Sequence, residues 1–189
     1  MPSDYDGAIF ITDIDETLRD NVKHQPIPGC QDILYAIQGL GVPILYLTAA
    51  SFGWRSLNRE FLRNFPAGIL VDRDTWDNRK NVDYKTSVIL TVQRFYPHAV
   101  LVCMGDNETH DAKAYTNCAG GSFIREVRRW DTHNRPSSPP SNMICYKEYG
   151  EPTKENILDV LSQVHKKTHP FEWQALGLQE TTVGSHVNR

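Results

Sequence analysis

Two carboxylates two residues apart, Asp13 and Asp15, close an apolar run, Ile9-Phe10-Ile11, and a hydroxyl follows at Thr17. The run is too short for a helix and suits a strand buried on both faces. Side chains alternate along an extended backbone, so Asp13 and Asp15 are expected to emerge on one side where the strand stops. Carboxylates held that close repel, and one tends to retain a proton. A divalent cation relieves the repulsion, and Mg²⁺ matches carboxylate and carbonyl oxygen while keeping several waters. Taken by themselves the same residues also read as an acidic turn after a strand.

The rest of the chain supplies the elements that must position this pair. Apolar spacing predicts helices over 30–40, 54–64, 83–95 and from Asp111 to about Ala119, and strands over 42–47, 68–71, 99–104 and 122–127. The expected inward stripes are Ile33, Leu34, Ile37 and Leu40; Leu57, Phe61 and Leu62; and Val88, Ile89, Val92 and Phe95. Residues 19–28 read as a polar connection. Residues 128–142, rich in Pro, Ser and Arg, read as a loop without chemistry. Thr153 is placed to cap a last helix over 154–167. Strands alternating with helices predict an α/β fold of three layers, α/β/α, Rossmann-like, around a parallel sheet. Ligand-binding groups of such sheets collect at the C-terminal edge of the strands, which brings Asp13, Asp15, Thr48 and Asp106 together.

At 189 residues the chain is expected to form one catalytic domain over 1–167 and a tail over 168–189. A formal charge of −3 removes the electrostatic case for nucleic acid. Cys30, Cys103, Cys118 and Cys145 lack the paired spacing of a zinc site and are expected to be reduced thiols, Cys103 acting as a small buried hydrophobe. The first seven residues are acidic, unlike a signal peptide, and no apolar run approaches the roughly 20 residues that span a bilayer. A soluble, cytoplasmic protein is the expectation. Oligomeric state has no signature in the sequence.

Four pieces together resemble the haloacid dehalogenase (HAD) superfamily of aspartate-nucleophile phosphohydrolases. Asp13-Ile14-Asp15-Glu16-Thr17 fits its Asp-x-Asp-x-Thr signature, Thr48 its second motif, Lys85 its third, and Gly105-Asp106 with Asp111 its fourth. A narrower likeness, over about residues 8–128, is to lipins and actin-patch-type phosphatidate phosphatases. It is carried by the segment from Ile44 through Thr48 to Trp54, by Phe65-Pro66-Ala67-Gly68, by Lys85 through Phe95-Tyr96-Pro97, and by Met104 through Tyr115. Ala49-Ala50 replaces the usual small polar residues, and Asn107-Glu108 stands where Ser-Gly is common, departures that bear on substrate more than on chemistry.

The resemblance implies Asp13 as the nucleophile that forms an aspartyl-phosphate and Asp15 as general acid and then base. It implies Asp106 as a metal ligand beside the Asp13 carboxylate and the Asp15 main-chain carbonyl, with Asp111 as a second ligand or an orienting group. Thr48 and Lys85 are implied to hold phosphoryl oxygens. Each assignment has a plain counterpart: Lys85 as a solvated residue at a helix start with Lys80 and Lys113 as rivals, Asp111 as a helix N-terminal acid, Thr48 as a strand end, and His110 as a solvated side chain.

Neither place where this superfamily inserts a cap, Thr17 to Pro43 or Thr48 to Lys85, has room for one. An uncapped site implies a bulky phosphorylated substrate, either a lipid or a protein. The likeness favours phosphatidate-like lipid, with peripheral membrane contact through basic and aromatic residues at 165–173. The alternative is a protein phosphatase, with Arg55, Arg59, Arg73 and Arg79 meeting an acidic peptide. Phe52 and Trp54 are expected to pack rather than to line the mouth. A non-catalytic HAD-like binding module gains nothing from the sequence, since Asp15 is present. A phosphotransferase would need water excluded, which an open site does not provide.

Overall fold

In β1 (Ala8–Thr12) Ile9 and Ile11 turn to one face and Phe10 to the other, and both faces are buried. The computed structural model describes residues 5–108, 110–127, 136 and 140–164. After β1 come a short hairpin of β2 (Arg19–Asp20) and β3 (Gln25–Pro26), helix α1 (Cys30–Gly39) and β4 (Ile44–Ser51). A 3-10 turn (Phe52–Trp54) leads into α2 (Arg55–Leu62), followed by β5 (Ile69–Arg73), α3 (Asn81–Phe95) and β6 (Val100–Asp106). The described chain continues with α4 (Asp111–Ala114), a second 3-10 turn (Tyr115–Asn117), β7 (Gly121–Arg125), β8 (Met143–Tyr146) and α5 (Glu151–Val164).

Six strands form one parallel sheet in the order β5-β4-β1-β6-β7-β8. The chain leaves β1 towards β4 and β5, then α3 carries it back across to β6. That reversal leaves a crevice at the C-terminal ends of β1 and its neighbours, where ligands bind in sheets of this kind. Alternation divides the core in two. Phe10, Tyr46, Val102, Met104 and Phe123 pack on α1, Leu62 of α2 and α5; Ile9, Ile11, Leu45, Leu47 and Cys103 pack on α3 and α4. The expected α/β/α layering is the one observed. Of the two intervals where a cap would insert, the first holds only the β2–β3 hairpin and α1, and between β4 and α3 the second holds only the 3-10 turn, α2 and β5.

Several details depart from expectation. Leu57 and Phe95 are exposed, while Asn58 is buried on the inner face of α2. The connection over 19–28 is partly the β2–β3 hairpin. The region after β7 contributes a sixth strand, β8, a four-residue edge strand in which only Tyr146 is buried. Helix α5 starts earlier than its expected cap: Thr153 sits in the first turn, its hydroxyl donating to Glu148 O at 3.0 Å. Most of the loop over 128–142, the end of the helix over 165–167 and the tail over 168–189, including 165–173, lie outside the described residues.

The cysteines also need correction, because Cys103 and Cys118 form a disulfide. After α4 the chain turns back along β6, Gly120 N donating to Leu101 O at 2.9 Å, and the two Cα atoms come within 6.4 Å. Cys30 remains a buried thiol, raised to about 12 by burial, and Cys145 an exposed one. Cysteine content therefore gives no argument for a reducing compartment. Among the described residues no helix is long and apolar enough to cross a membrane.

Candidate active site

Asp13 extends β1 by one residue, its N–H donating to Met104 O of β6 at 2.9 Å. It keeps the parity of Ile9 and Ile11 and so faces α3. There Lys85 stands one turn before Ile89 on the buried stripe of α3, fully enclosed despite its charge. Its Nζ donates to Asp13 Oδ1 at 2.5 Å and also to Asp111 Oδ1. Asp111 opens α4, and its Oδ2 accepts the N–H of Asp106 at 3.4 Å. Asp106 ends β6, with Oδ1 accepting Glu108 N at 2.5 Å. Gly105 permits this closeness: a Cβ there would lie 2.5 Å from Asp111 Oδ2 and 2.7 Å from Tyr115 Cε2.

Asp13, Asp106 and Asp111 are all buried and can offer ligand atoms within 4.8 Å of one another. Three buried carboxylates converge here on one buried ammonium. Burial pushes the Asp13 carboxyl well above the ordinary carboxylate range. Lys85 opposes that shift, while Asp111, Asp106 and Asp15 add to it. Burial works to lower Lys85, but Asp111 and Asp13 outweigh it and hold the ammonium charged. Asp13 Oδ2 is buried without a hydrogen-bond partner. An orphaned carboxylate oxygen is costly unless something occupies its lone pairs. Oxygen donors, burial and the orphaned Asp13 oxygen all fit a divalent cation, and the triad can hold one.

Asp15 does not join this cluster. The strand ends before it: Leu18 N and Arg19 N both donate to Ile14 O at 2.8 Å, and Glu16 adopts a left-handed φ of 55°. The turn swings the Asp15 carboxylate onto Arg19, whose Nη2 and Nε donate to Oδ1 at 2.5 and 3.1 Å. The expectation that alternation places Asp13 and Asp15 side by side is thus corrected; the carboxylates that crowd Asp13 come from β6 and α4. Thr48 is buried on β4, where a bulge follows it, and its Oγ1 accepts Ala50 N at 3.0 Å. Bulges re-aim side chains beside active sites. Lys80 is exposed and Lys113 lies on α4, so the cation seated on Asp13 and Asp111 is Lys85.

Sequence reading missed the residues that fasten the 13–19 turn. Arg19 stacks its guanidinium 5.3 Å from the Phe61 ring centroid. Arg125, at the end of β7, donates to Glu16 O at 2.7 Å, and Tyr149 donates to Thr17 O at 2.6 Å while accepting from Tyr146 at 2.9 Å. Arg19 carried one available signal, its position four residues after Asp15; Arg125 and Tyr149 carried none. Of the arginines expected to meet an acidic peptide, Arg55 is paired with Asp72 and Arg79 with Asp77, while Arg73 donates to Arg79 O and Asn81 Oδ1. Trp54 is half exposed rather than packed.

A family model described as phosphatidate phosphatase APP1, catalytic domain, matches residues 3–122. No curated protein sequence matches the chain. Among solved structures, an uncharacterized protein from Listeria monocytogenes serotype 4b superposes with a TM-score of 0.55 at 16% identity, over 83% of this chain and 99% of that one. A chain of a Pnkp1/Rnl/Hen1 complex superposes with a TM-score of 0.53 at 18% identity, over 65% of this chain and 47% of that one. This chain therefore spans just under half of the latter. A cobalt-bound deoxy-D-mannose-octulosonate 8-phosphate phosphatase from Haemophilus influenzae gives a TM-score of 0.46 at 12% identity, over 86% and 91% of the two chains. The first two share the fold.

Proposed function

The chain belongs to the family of phosphatidate phosphatase APP1 catalytic domains, HAD-type phosphatases, and on that footing we propose that it is a Mg²⁺-dependent phosphomonoester hydrolase acting on phosphatidate-like lipid. The single observation that carries the site assignment is the buried, unpartnered Oδ2 of Asp13 within reach of Asp106 and Asp111. Asp13, Asp106 and Asp111 would hold the ion, with the Asp15 main-chain carbonyl as a further donor. When bound, the ion supplies positive charge against the phosphoryl oxygens and the carboxylates.

The chain's own residues divide the remaining work. The Asp13 carboxylate attacks phosphorus and forms an aspartyl-phosphate as the bond to the leaving oxygen breaks, and Asp15 gives that oxygen its proton. Asp15 then takes a proton from water, whose oxygen attacks the same phosphorus, releasing phosphate and restoring the Asp13 carboxylate. Asp15 suits this exchange because it is partly open to solvent, at 24% side-chain exposure, where Asp13 is enclosed. Arg19 holds its side chain in place through Nε and Nη2. Lys85 has three N–H donors, two of them on Asp13 and Asp111, and the third is available to a phosphoryl oxygen with the Thr48 hydroxyl.

The test is phosphate release from phosphatidate in mixed micelles, beside a panel of phosphotyrosine and phosphoserine peptides, with and without Mg²⁺. Turnover of lipid that requires Mg²⁺ and vanishes in Asp13→Asn is the expected result. Turnover of peptides without lipid would replace the substrate, and wild-type rates in Asp13→Asn would remove Asp13 as the nucleophile.

A further inference from the structure

Two large apolar side chains stand almost wholly in solvent, Trp76 at 91% and Val22 at 88% exposure. Val22 lies in the turn between β2 and β3, which follows β1. Trp76 lies just beyond the end of β5, and Trp54, at 51% exposure, ends the 3-10 turn after β4. β1, β4 and β5 are consecutive neighbours in a parallel sheet. Each therefore sends, from the C-terminal edge that carries the acid cluster, a segment bearing an exposed apolar residue. The other large apolar residues exposed among those described, Tyr35, Leu57, Leu90 and Phe95, lie on helices.

The two outermost side chains are presented alike. Asp20 Oδ1 accepts the N–H of Val22 at 2.9 Å and of Lys23 at 2.8 Å, and Asp74 Oδ1 accepts the N–H of Trp76 at 3.0 Å. In both turns a carboxylate two residues earlier pins the backbone of the apolar residue, so the side chain is held outward by local hydrogen bonds. Separate apolar tips, rather than a continuous groove, do not match the seat of an amphipathic helix. They match a flat, deformable acceptor, and tryptophan is the side chain characteristic of a membrane–water interface. Lys23 adjoins Val22, and Arg79 and Lys80 follow Trp76, which complements anionic headgroups. Asp77 pairs with Arg79, so the apolar contribution leads and the electrostatic one is secondary.

We propose that Val22, Trp54 and Trp76 form an interfacial docking rim that seats the open edge of the sheet on a phosphatidate-containing bilayer. The proposal rests on the phosphatidate reading for the identity of the lipid, and on the placement of these three residues for the surface. Docking at this edge would bring headgroups to the crevice without a cap to admit them.

The experiment uses the full chain carrying Asp13→Asn, so that lipid is not consumed, sedimented with phosphatidylcholine vesicles containing phosphatidate. Trp76→Ser and Val22→Ser are each expected to weaken vesicle binding about tenfold, with little dependence on salt. With Asp13 restored, Trp76→Ser should slow hydrolysis of vesicle phosphatidate by a similar factor and leave monomeric short-chain phosphatidate unchanged. Unaltered vesicle binding in both variants overturns the proposal, as does an equal loss on the monomeric substrate. A wild-type dimer that Trp76→Ser abolishes, with vesicles ignored, would assign the rim to a second copy and also overturn it. A wild-type protein that cleaves neither form of phosphatidate would defeat the functional reading, while sedimentation would still decide the docking surface.

Discussion

Replacing Lys85 with Met tests the charge balance on which the site is built. Methionine keeps most of the apolar stem and removes the ammonium that meets Asp13 and Asp111. Lys85, Asp13 and Asp111 are at most 3% exposed, so water cannot take over the lost contacts. Breaking a buried ion pair from one side costs about 3–5 kcal/mol, because it strands the partner charge. Against the roughly 5–15 kcal/mol that holds a domain folded, such a loss is severe. Urea unfolding in EDTA, followed by far-UV circular dichroism, should show it as a lowered midpoint. Adding Asp111→Asn to Lys85→Met removes one of the stranded carboxylates and should recover more than half of the loss, a coupling that a double-mutant cycle measures directly. Mg²⁺ should also stabilise Lys85→Met more than wild type, since the ion then meets the carboxylates without the competing ammonium. A Lys85→Met protein within about 1 kcal/mol of wild type in EDTA, or strict additivity with Asp111→Asn, would refute the account.

Four further outcomes follow from the same contacts. The folded protein holds the Asp13 carboxyl above its unfolded range, so that contribution to stability is present in acid and lost as pH rises through the raised value. Mg²⁺ should therefore bind more tightly as pH rises and release protons, measurable by calorimetry in buffers of different ionisation heat; the absence of release would contradict it. Gly105→Ala should cost about 1–3 kcal/mol and most of the activity, because the new methyl meets Asp111 and Tyr115, as denaturant unfolding and phosphate release would report. Joint Cys103→Ser and Cys118→Ser should lower stability by about 3 kcal/mol, the effect of opening a loop with a sequence separation of 15. Tyr149→Phe should cost about 1 kcal/mol and slow turnover by loosening the turn that carries Asp15, seen by comparing midpoints and kcat.

The layered fold was legible because burial on both faces writes an unmistakable pattern: Ile9-Phe10-Ile11 and Leu45-Tyr46-Leu47 feed two separate clusters from one strand each. The site edge was legible for a topological reason, since parallel strands deliver their C-terminal ends to one side, and Asp13, Thr48 and Asp106 all lie there. Lys85 was legible as a helix residue, but its burial was not, because a lysine enclosed among carboxylates reads in sequence like one in water. β8 escaped because Met143-Ile144-Cys145-Tyr146 is a four-residue run at the sheet edge, too short to show an alternation. The disulfide escaped because the approach of Cys118 to Cys103 is set by the return of the chain after α4, and spacing alone does not report that.

The spacing of Asp13 and Asp15 led to a metal by an argument that the structure revises in an informative way. Had the strand continued, alternation would have placed Asp15 on the face of Asp13 and added a fourth carboxylate to a buried group that already holds three. The left-handed turn at Glu16 prevents this, and Arg125 and Tyr149 hold that turn by the carbonyls of Glu16 and Thr17. One carboxylate is thereby enclosed with Asp106, Asp111 and Lys85, while the other meets Arg19 at the solvent-facing edge. Attack on phosphorus profits from an enclosed, charge-compensated oxygen, and proton exchange needs a path to water. Two residues in one short motif can serve both needs only if the backbone between them breaks its own alternation. The turn, more than the pair of acids, is the feature on which the proposed chemistry depends.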